Sequence, residues 1–181
     1  MRLIIAGPRD YTPKHEAIIS VRLGIKKWFY KYNRVITQIV SGHSGVSDLA
    51  GETIAKEMGV DLKTFPYPND KDLIERGLDP KLIPIKARGP LRNGWMADYA
   101  KETPPGGLLV IRDFGKHGAR YTRGTDSMKV QALSRGLLVE DFCLGELPPE
   151  EMPIGFTACW KEFPNGNCRM PVDHDGDCSP Y

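Results

Sequence analysis

Apolar and polar positions along this chain follow two rhythms: short unbroken apolar runs, and longer stretches where apolar residues return every three or four positions. An unbroken run suits a strand covered on both faces, and the three-to-four spacing suits a helix covered on one. Leu3, Ile4, Ile5 and Ala6 form the first run, stopped by Gly7 and Pro8. Ile18, Val21, Ile25, Trp28 and Phe29 then recur with helical spacing and predict a helix over residues 13–32, capped by Thr12 and opened by Pro13. Gly24 inside it costs about 1 kcal/mol relative to alanine.

The same reading continues along the chain. Residues 35–40 predict a second strand ending at Ser41-Gly42, and Val46, Leu49, Ile54, Ala55 and Met58 predict a helix ended by Gly59. Residues 60–65 alternate as a short third strand before Pro66 and Pro68 open a long connection, with one helical turn near residues 70–76. Long connections of this kind inside compact domains are usually functional or mobile. Gly89-Pro90 then predicts the start of a helix to Glu102 with Trp95, Met96 and Tyr99 inward. A fourth strand over residues 108–111, a loop over 112–123, a helix over 125–135 and a fifth strand over 137–139 complete the series.

Strands alternating with helices imply a mainly parallel sheet of about five strands with helices on both faces, a three-layer α/β domain joined by right-handed crossovers. This domain is expected over residues 1–145. The proline-rich stretch 148–153 reads as part of a linker into a cysteine-bearing tail, giving a second segment over 146–181. The glycine-rich turns follow strands, so they gather at the carboxyl edge of the sheet, where open α/β folds bind ligands.

Composition changes this picture only in part. With 181 residues, 40% apolar and 27% charged, the chain can bury a real core, which excludes a disordered chain. A net charge of +2 gives no global reason to expect nucleic acid as partner, so any polyanion site is local. The first apolar run is too short for a signal-peptide core or a membrane span, and a cytoplasmic protein without a membrane partner is expected.

Four segments carry candidate chemistry. Ser41-Gly42-His43-Ser44-Gly45-Val46-Ser47-Asp48 runs from a strand through small residues into a helix, where backbone N–H groups and the helix dipole suit a phosphate. The alternative is a tight turn whose Ser and Asp cap the helix. The stretch is not a P-loop, because no lysine follows Gly45. In Gly7-Pro8-Arg9-Asp10-Tyr11, Arg9 suits an anion and Tyr11 suits stacking on a base, against a plain solvated turn. In Arg88-Gly89-Pro90-Leu91-Arg92-Asn93, Arg92 near a helix start asks for an anion or an acidic neighbour. Gly124, Thr125 and Ser127 stand at another helix start, as anion ligands or as caps.

In order and spacing these segments resemble the SLOG superfamily, which includes the LOG-like and DprA-like proteins, and in particular its YpsA-related branch. The matching features are a G-x-R turn at Gly7-Pro8-Arg9, an S-G-x-x-G-x-D-type turn at Ser41 to Asp48, a G-P-x-R-N-x-x-M helix start at Gly89 to Met96, and a G-T turn at Gly124-Thr125. The resemblance covers about residues 1–140. It implies a Rossmann-like domain that binds a nucleoside phosphate, a nucleotide sugar or an ADP-ribose-like ligand, and it implies a homo-oligomer.

The LOG-like enzymes cleave the N-glycosidic bond of nucleotides with a glutamate in a G-G-x-G-T-x-x-E turn. Here Met128 stands in its place, and Tyr121-Thr122 replaces the paired glycines. Methionine carries no titratable proton, so Asp48 and Asp126 are the candidate substitutes. The basic, glycine-containing loop 112–120 is either a lid over phosphates or a solvated loop.

The tail offers Cys159, Cys168, His174 and Cys178, a ligand set for a closed tetrahedral zinc site. A segment this short builds no apolar core of its own, so Zn2+ would hold its fold; reduced or disulfide-paired cysteines are the alternative. Asp173, Asp175 and Asp177 lack the glycine and glutamate positions of an EF-hand. Trp160, Phe163 and Tyr181 are expected to pack around the metal. The segment resembles small tail modules of actinobacterial and phage proteins. Binding of a nucleotide-type ligand, as a sensor or a sequestering protein, is the expected function. A nucleotide N-glycosidase and a DprA-like single-stranded DNA-binding module are the alternatives.

Overall fold

The computed structural model describes residues 1–11, 14–112 and 123–143, together with the backbone of 162–163 and 166–167. In chain order the elements are β1 (Arg2–Ala6), α1 (Lys14–Tyr32), β2 (Gln38–Ser41), α2 (Val46–Met58), β3 (Asp61–Thr64), α3 (Asp70–Glu75), a 3-10 turn (Pro80–Leu82), α4 (Ile85–Lys101), β4 (Gly107–Arg112), α5 (Arg123–Ser134) and β5 (Leu138–Cys143). The five strands form one parallel sheet in the order β3-β2-β1-β4-β5. This is a Rossmann-like α/β fold. The chain divides into Met1–Leu144, which holds this sheet, and Gly145–Tyr181, in which β6 (Glu162–Phe163) and β7 (Gly166–Asn167) pair antiparallel.

Helices cover both faces of the parallel sheet. One face packs Ile4, Ala6, Val40, Leu108 and Val110 against Met96, Ala97 and Ala100 of α4 and Met128 and Ala132 of α5. On the other face, Gly51 of α2 lies so close to Ile5 that an added Cβ would stand 3.0 Å from its Cβ. Gly24 of α1 likewise faces Leu109, at 2.9 Å from where its Cβ would be. The glycine that weakens α1 by propensity therefore lets the helix settle onto the sheet. Alternate residues of β1 and β4 thus face opposite helix pairs, as the two-residue strand period requires.

Several boundaries differ from the sequence expectation for physical reasons. β2 begins at Gln38 rather than at Val35, whose side chain is exposed while its carbonyl accepts the Met1 amino group at 2.8 Å. β3 is an edge strand with all four residues exposed. α4 begins at Ile85, with Pro84 as its extended cap, and Pro90 falls inside it. Gly89, lacking a Cβ, accepts the helical conformation that a residue ahead of proline otherwise resists. In α2, Leu49 and Met58 are exposed, and so is Phe29 of α1.

β5 runs on through Glu140 and Asp141 to Cys143, because it pairs with the whole length of β4. Glu140 is buried there, with its carboxylate on Lys27 at 2.9 Å and on Lys31. Burial alone would push this carboxyl up, but the hydrogen bonds from Lys31 and Lys27 outweigh it and hold it below the usual range. A depressed carboxyl stabilises the fold above its ordinary pKa and loses that contribution as pH falls through the lowered one. Glu140→Gln is therefore expected to cost about 1–3 kcal/mol at neutral pH. The gap to the wild type should close as denaturant titrations move into that acidic range.

Candidate functional site

In the order β3-β2-β1-β4-β5 the chain runs from β1 towards one edge of the sheet and from β4 towards the other. Loops leaving β1 and β4 therefore part to opposite faces, and a crevice opens at the carboxyl ends of these strands. A cleft of about 640 Å³ lies there. Its walls come from the turn after β1 (Gly7, Arg9, Asp10), the turn after β2 (Gly42, Ser44, Asp48), the middle of α4 (Arg92, Asn93) and the start of α5 (Gly124, Thr125). All four sequence segments thus meet in one place. A cleft of this size is in the usual range for small-molecule sites.

The turn after β2 is built by its own hydrogen bonds. Ser44 gives both its N–H (2.9 Å) and its hydroxyl (2.7 Å) to Asp48 Oδ2. The N–H of Val46 goes to the Arg9 carbonyl at 2.9 Å, and Ser47 Oγ donates to the Pro8 carbonyl at 2.9 Å. The anion cradle expected at the start of α2 is thus largely filled from within: Asp48 is the resident anion, and the neighbouring turn takes donors that a phosphate would need.

Arg92 crosses the floor of the cleft. It lies two turns inside α4, not in its first turn, so the helix dipole does not account for it. Its Nη1 donates to the Gly42 carbonyl at 2.8 Å and its Nη2 to Asn93 Oδ1 at 3.1 Å. Asn93 in turn reaches the Gly124 carbonyl (3.2 Å) and Ser127 Oγ (3.3 Å), joining α4 to the start of α5. Burial pushes the Arg92 guanidinium below its usual value, opposed by the charge of Asp48 and assisted by that of Arg9. Burial likewise pushes the Asp48 carboxyl up, opposed by the Ser44 hydrogen bonds and by Arg92. Buried charges of opposite sign face each other across the β2 turn, with Arg9 beside them.

Other candidates stand apart from the cleft. Tyr11 is 3% exposed with its hydroxyl 3.0 Å from Ser20 Oγ, so its ring is packed inside rather than presented to a base. His43 turns outward with a left-handed backbone (φ 48°) and pairs through Nδ1 with Glu52 at 2.9 Å. Gly45 supports the Arg9 turn, and Arg88 pairs with Asp70 at 2.6 Å beside Gly89. Ser127 serves Asn93. Asp126 is exposed and does not line the cleft, which leaves Asp48 as the one of the two candidate acids that does. Met128 does line it and is 1% exposed.

Sequence reasoning missed Arg123, Met96 and Ala6 as lining residues, and Glu52 as the partner of Ser41 and His43. Asp48 and Glu52 are four apart on one helix, a spacing that places both beneath the same turn. The loop 113–122 and the tail residues Cys159, Cys168, His174 and Cys178 lie outside the described residues. Among the described residues, no cluster of His, Cys, Asp and Glu is suited to a metal, and no helix is long and apolar enough to cross a membrane. Comparison with protein-family models, curated proteins and solved structures finds no match.

Proposed function

We propose that this protein binds a nucleotide or nucleotide derivative in the carboxyl-edge cleft, as a sensor or sequestering protein. The observation that carries this reading is a pair of exposed arginines on the cleft wall, Arg9 and Arg123, whose side chains make no hydrogen bond or ion pair among the described residues. Most other arginines of the domain are engaged by carboxylates or carbonyls, as Arg2, Arg22, Arg88 and Arg135 are. Two unpaired guanidinium groups beside the positive end of α5 suit a phosphate or diphosphate. The resemblance to the SLOG superfamily, stated on the same four segments, supports a nucleotide as the bearer of that phosphate.

Binding is favoured over hydrolysis because Met128 offers no proton where the LOG-like glutamate would stand. A thermal-shift screen of nucleoside mono- and diphosphates, nucleotide sugars and ADP-ribose tests the reading. A ligand at 100 times its dissociation constant is expected to add about 2.7 kcal/mol of stability. No shift with any of them would sink it.

For the tail we propose one zinc ion per chain on Cys159, Cys168, His174 and Cys178, since three thiolates and an imidazole match its preferred donors. Metal analysis of protein purified without chelator is expected to give one equivalent, and none from the variant Cys168→Ser with Cys178→Ser. We also propose that the protein is a homo-oligomer.

A further inference from the structure

Asp48 is 8% exposed, yet only one of its carboxylate oxygens is used: both hydrogen bonds from Ser44 end on Oδ2. Oδ1 has no hydrogen-bond partner among the described residues, and Asp48 lines the cleft. This oxygen is not among the buried unpaired atoms of the domain, so it is an acceptor open to whatever enters the cleft. A ligand that brings a donor into the cleft can take the place of solvent there.

Position narrows which donor. The turn carrying Asp48 is tied to the turn carrying Arg9 by the Val46 N–H to Arg9 carbonyl bond, and both charged groups act on the same Arg92 guanidinium. A phosphate held by Arg9 therefore sits close to Asp48. In a nucleotide, the group covalently next to the phosphate is the sugar, and the base lies beyond it. Among the described residues no aromatic ring lines the cleft near Asp48 to stack on a base, whereas the small and polar neighbours Gly42 and Ser44 leave room for a hydroxylated ring.

We propose that Asp48 Oδ1 accepts a ribose hydroxyl, so that the cleft selects ribonucleotides by their sugar and not by their phosphate alone. This rests on the nucleotide reading above and deepens it. The hydroxyl donates to the carboxylate while the phosphate remains with Arg9, and no covalent step is involved.

The test is titration calorimetry of the full-length protein with the four ribonucleoside 5′-monophosphates and with their 2′,3′-dideoxy counterparts. Loss of a hydrogen bond to a charged acceptor is expected to weaken the dideoxy compounds by about tenfold or more. In Asp48→Ala that preference should fall to near unity. Because removing this carboxylate also frees Ser44, Asp48→Asn is run beside it; it keeps the volume and an acceptor for Ser44 but removes the charge, and is expected to shrink the preference. Equal affinity of ribose and dideoxy compounds for the wild type would overturn the assignment while leaving nucleotide binding intact. An undiminished preference in both variants would overturn it too. If none of the monophosphates bound, the nucleotide reading and this inference would fall together.

Discussion

Replacing Arg9 and Arg123 together by alanine is expected to weaken nucleoside-phosphate binding by about 100-fold or more while leaving the stability of the domain within about 0.5 kcal/mol. Each guanidinium-to-phosphate contact is worth about 1.5–3 kcal/mol, and because the two share one phosphate or diphosphate their losses couple, so the pair is set at about 100-fold and not at the sum of two full contacts. The fold should not notice the change, because both side chains are exposed and bond to nothing among the described residues. Arg92 behaves differently: it holds the Gly42 carbonyl and Asn93 from a buried position, so its loss would mix folding with binding. Calorimetry at fixed salt, with thermal unfolding of the same samples, separates the two effects. Unchanged affinity in the double variant would show that no anion is held by these arginines.

Gly45→Ala is expected to lower stability by about 2–3 kcal/mol, as overpacking of a tight contact does. Its backbone is extended, so the cost is not one of dihedral strain. An added Cβ would stand 2.4 Å from Arg9 Cα and 2.9 Å from Arg9 Cβ, and backbone cannot swing aside as the end of a side chain can. The β1 and β2 turns would be driven apart, breaking the Val46 to Arg9 hydrogen bond and opening the cleft wall. In a domain of this size the melting temperature should drop by about 5–10 °C. Gly124→Ala is the control: among the described residues nothing lies within 4 Å of the added Cβ, and alanine is the better helix former. A Gly45 variant as stable as this control would mean that the two turns are not locked together.

The periodic signals were legible wherever they were long or unbroken. The runs in β1 and β4 and the helical spacing in α1 identify buried strands and an amphipathic helix from local pattern alone. Their alternation carries the parallel, two-faced sheet, because a crossover between parallel strands needs a helix. The start of α4 was not legible: Gly89-Pro90 looks like a helix opening, and only the cap at Pro84 shows that the helix has already begun. Nor was the end of β5, where two acidic residues interrupt the apolar run. Glu140 is tolerated in a buried strand because lysines a hundred residues earlier in the chain meet it.

The site divides in the same way. Its glycines, arginines and hydroxyl residues could be read from the chain as four segments, two of them turns after β1 and β2, which converge at the carboxyl edge of a parallel sheet, although the Arg88 to Asn93 segment lies inside α4 and not at its start. Which of those residues face a ligand could not. Tyr11 and His43 have the chemistry of binding residues but are spent on Ser20 and Glu52, and Asp126 is turned to solvent. Arg123, which looked unremarkable in sequence, lines the cleft. The sequence by itself determined the kind of fold and at which edge of the sheet the cleft lies, because those follow from local periodicity and connectivity. Only the tertiary structure decided that, among the described residues, the Arg9 and Arg123 side chains find no partner and Asp48 Oδ1 accepts no hydrogen bond, because a polar group's availability depends on every partner that packing brings to it.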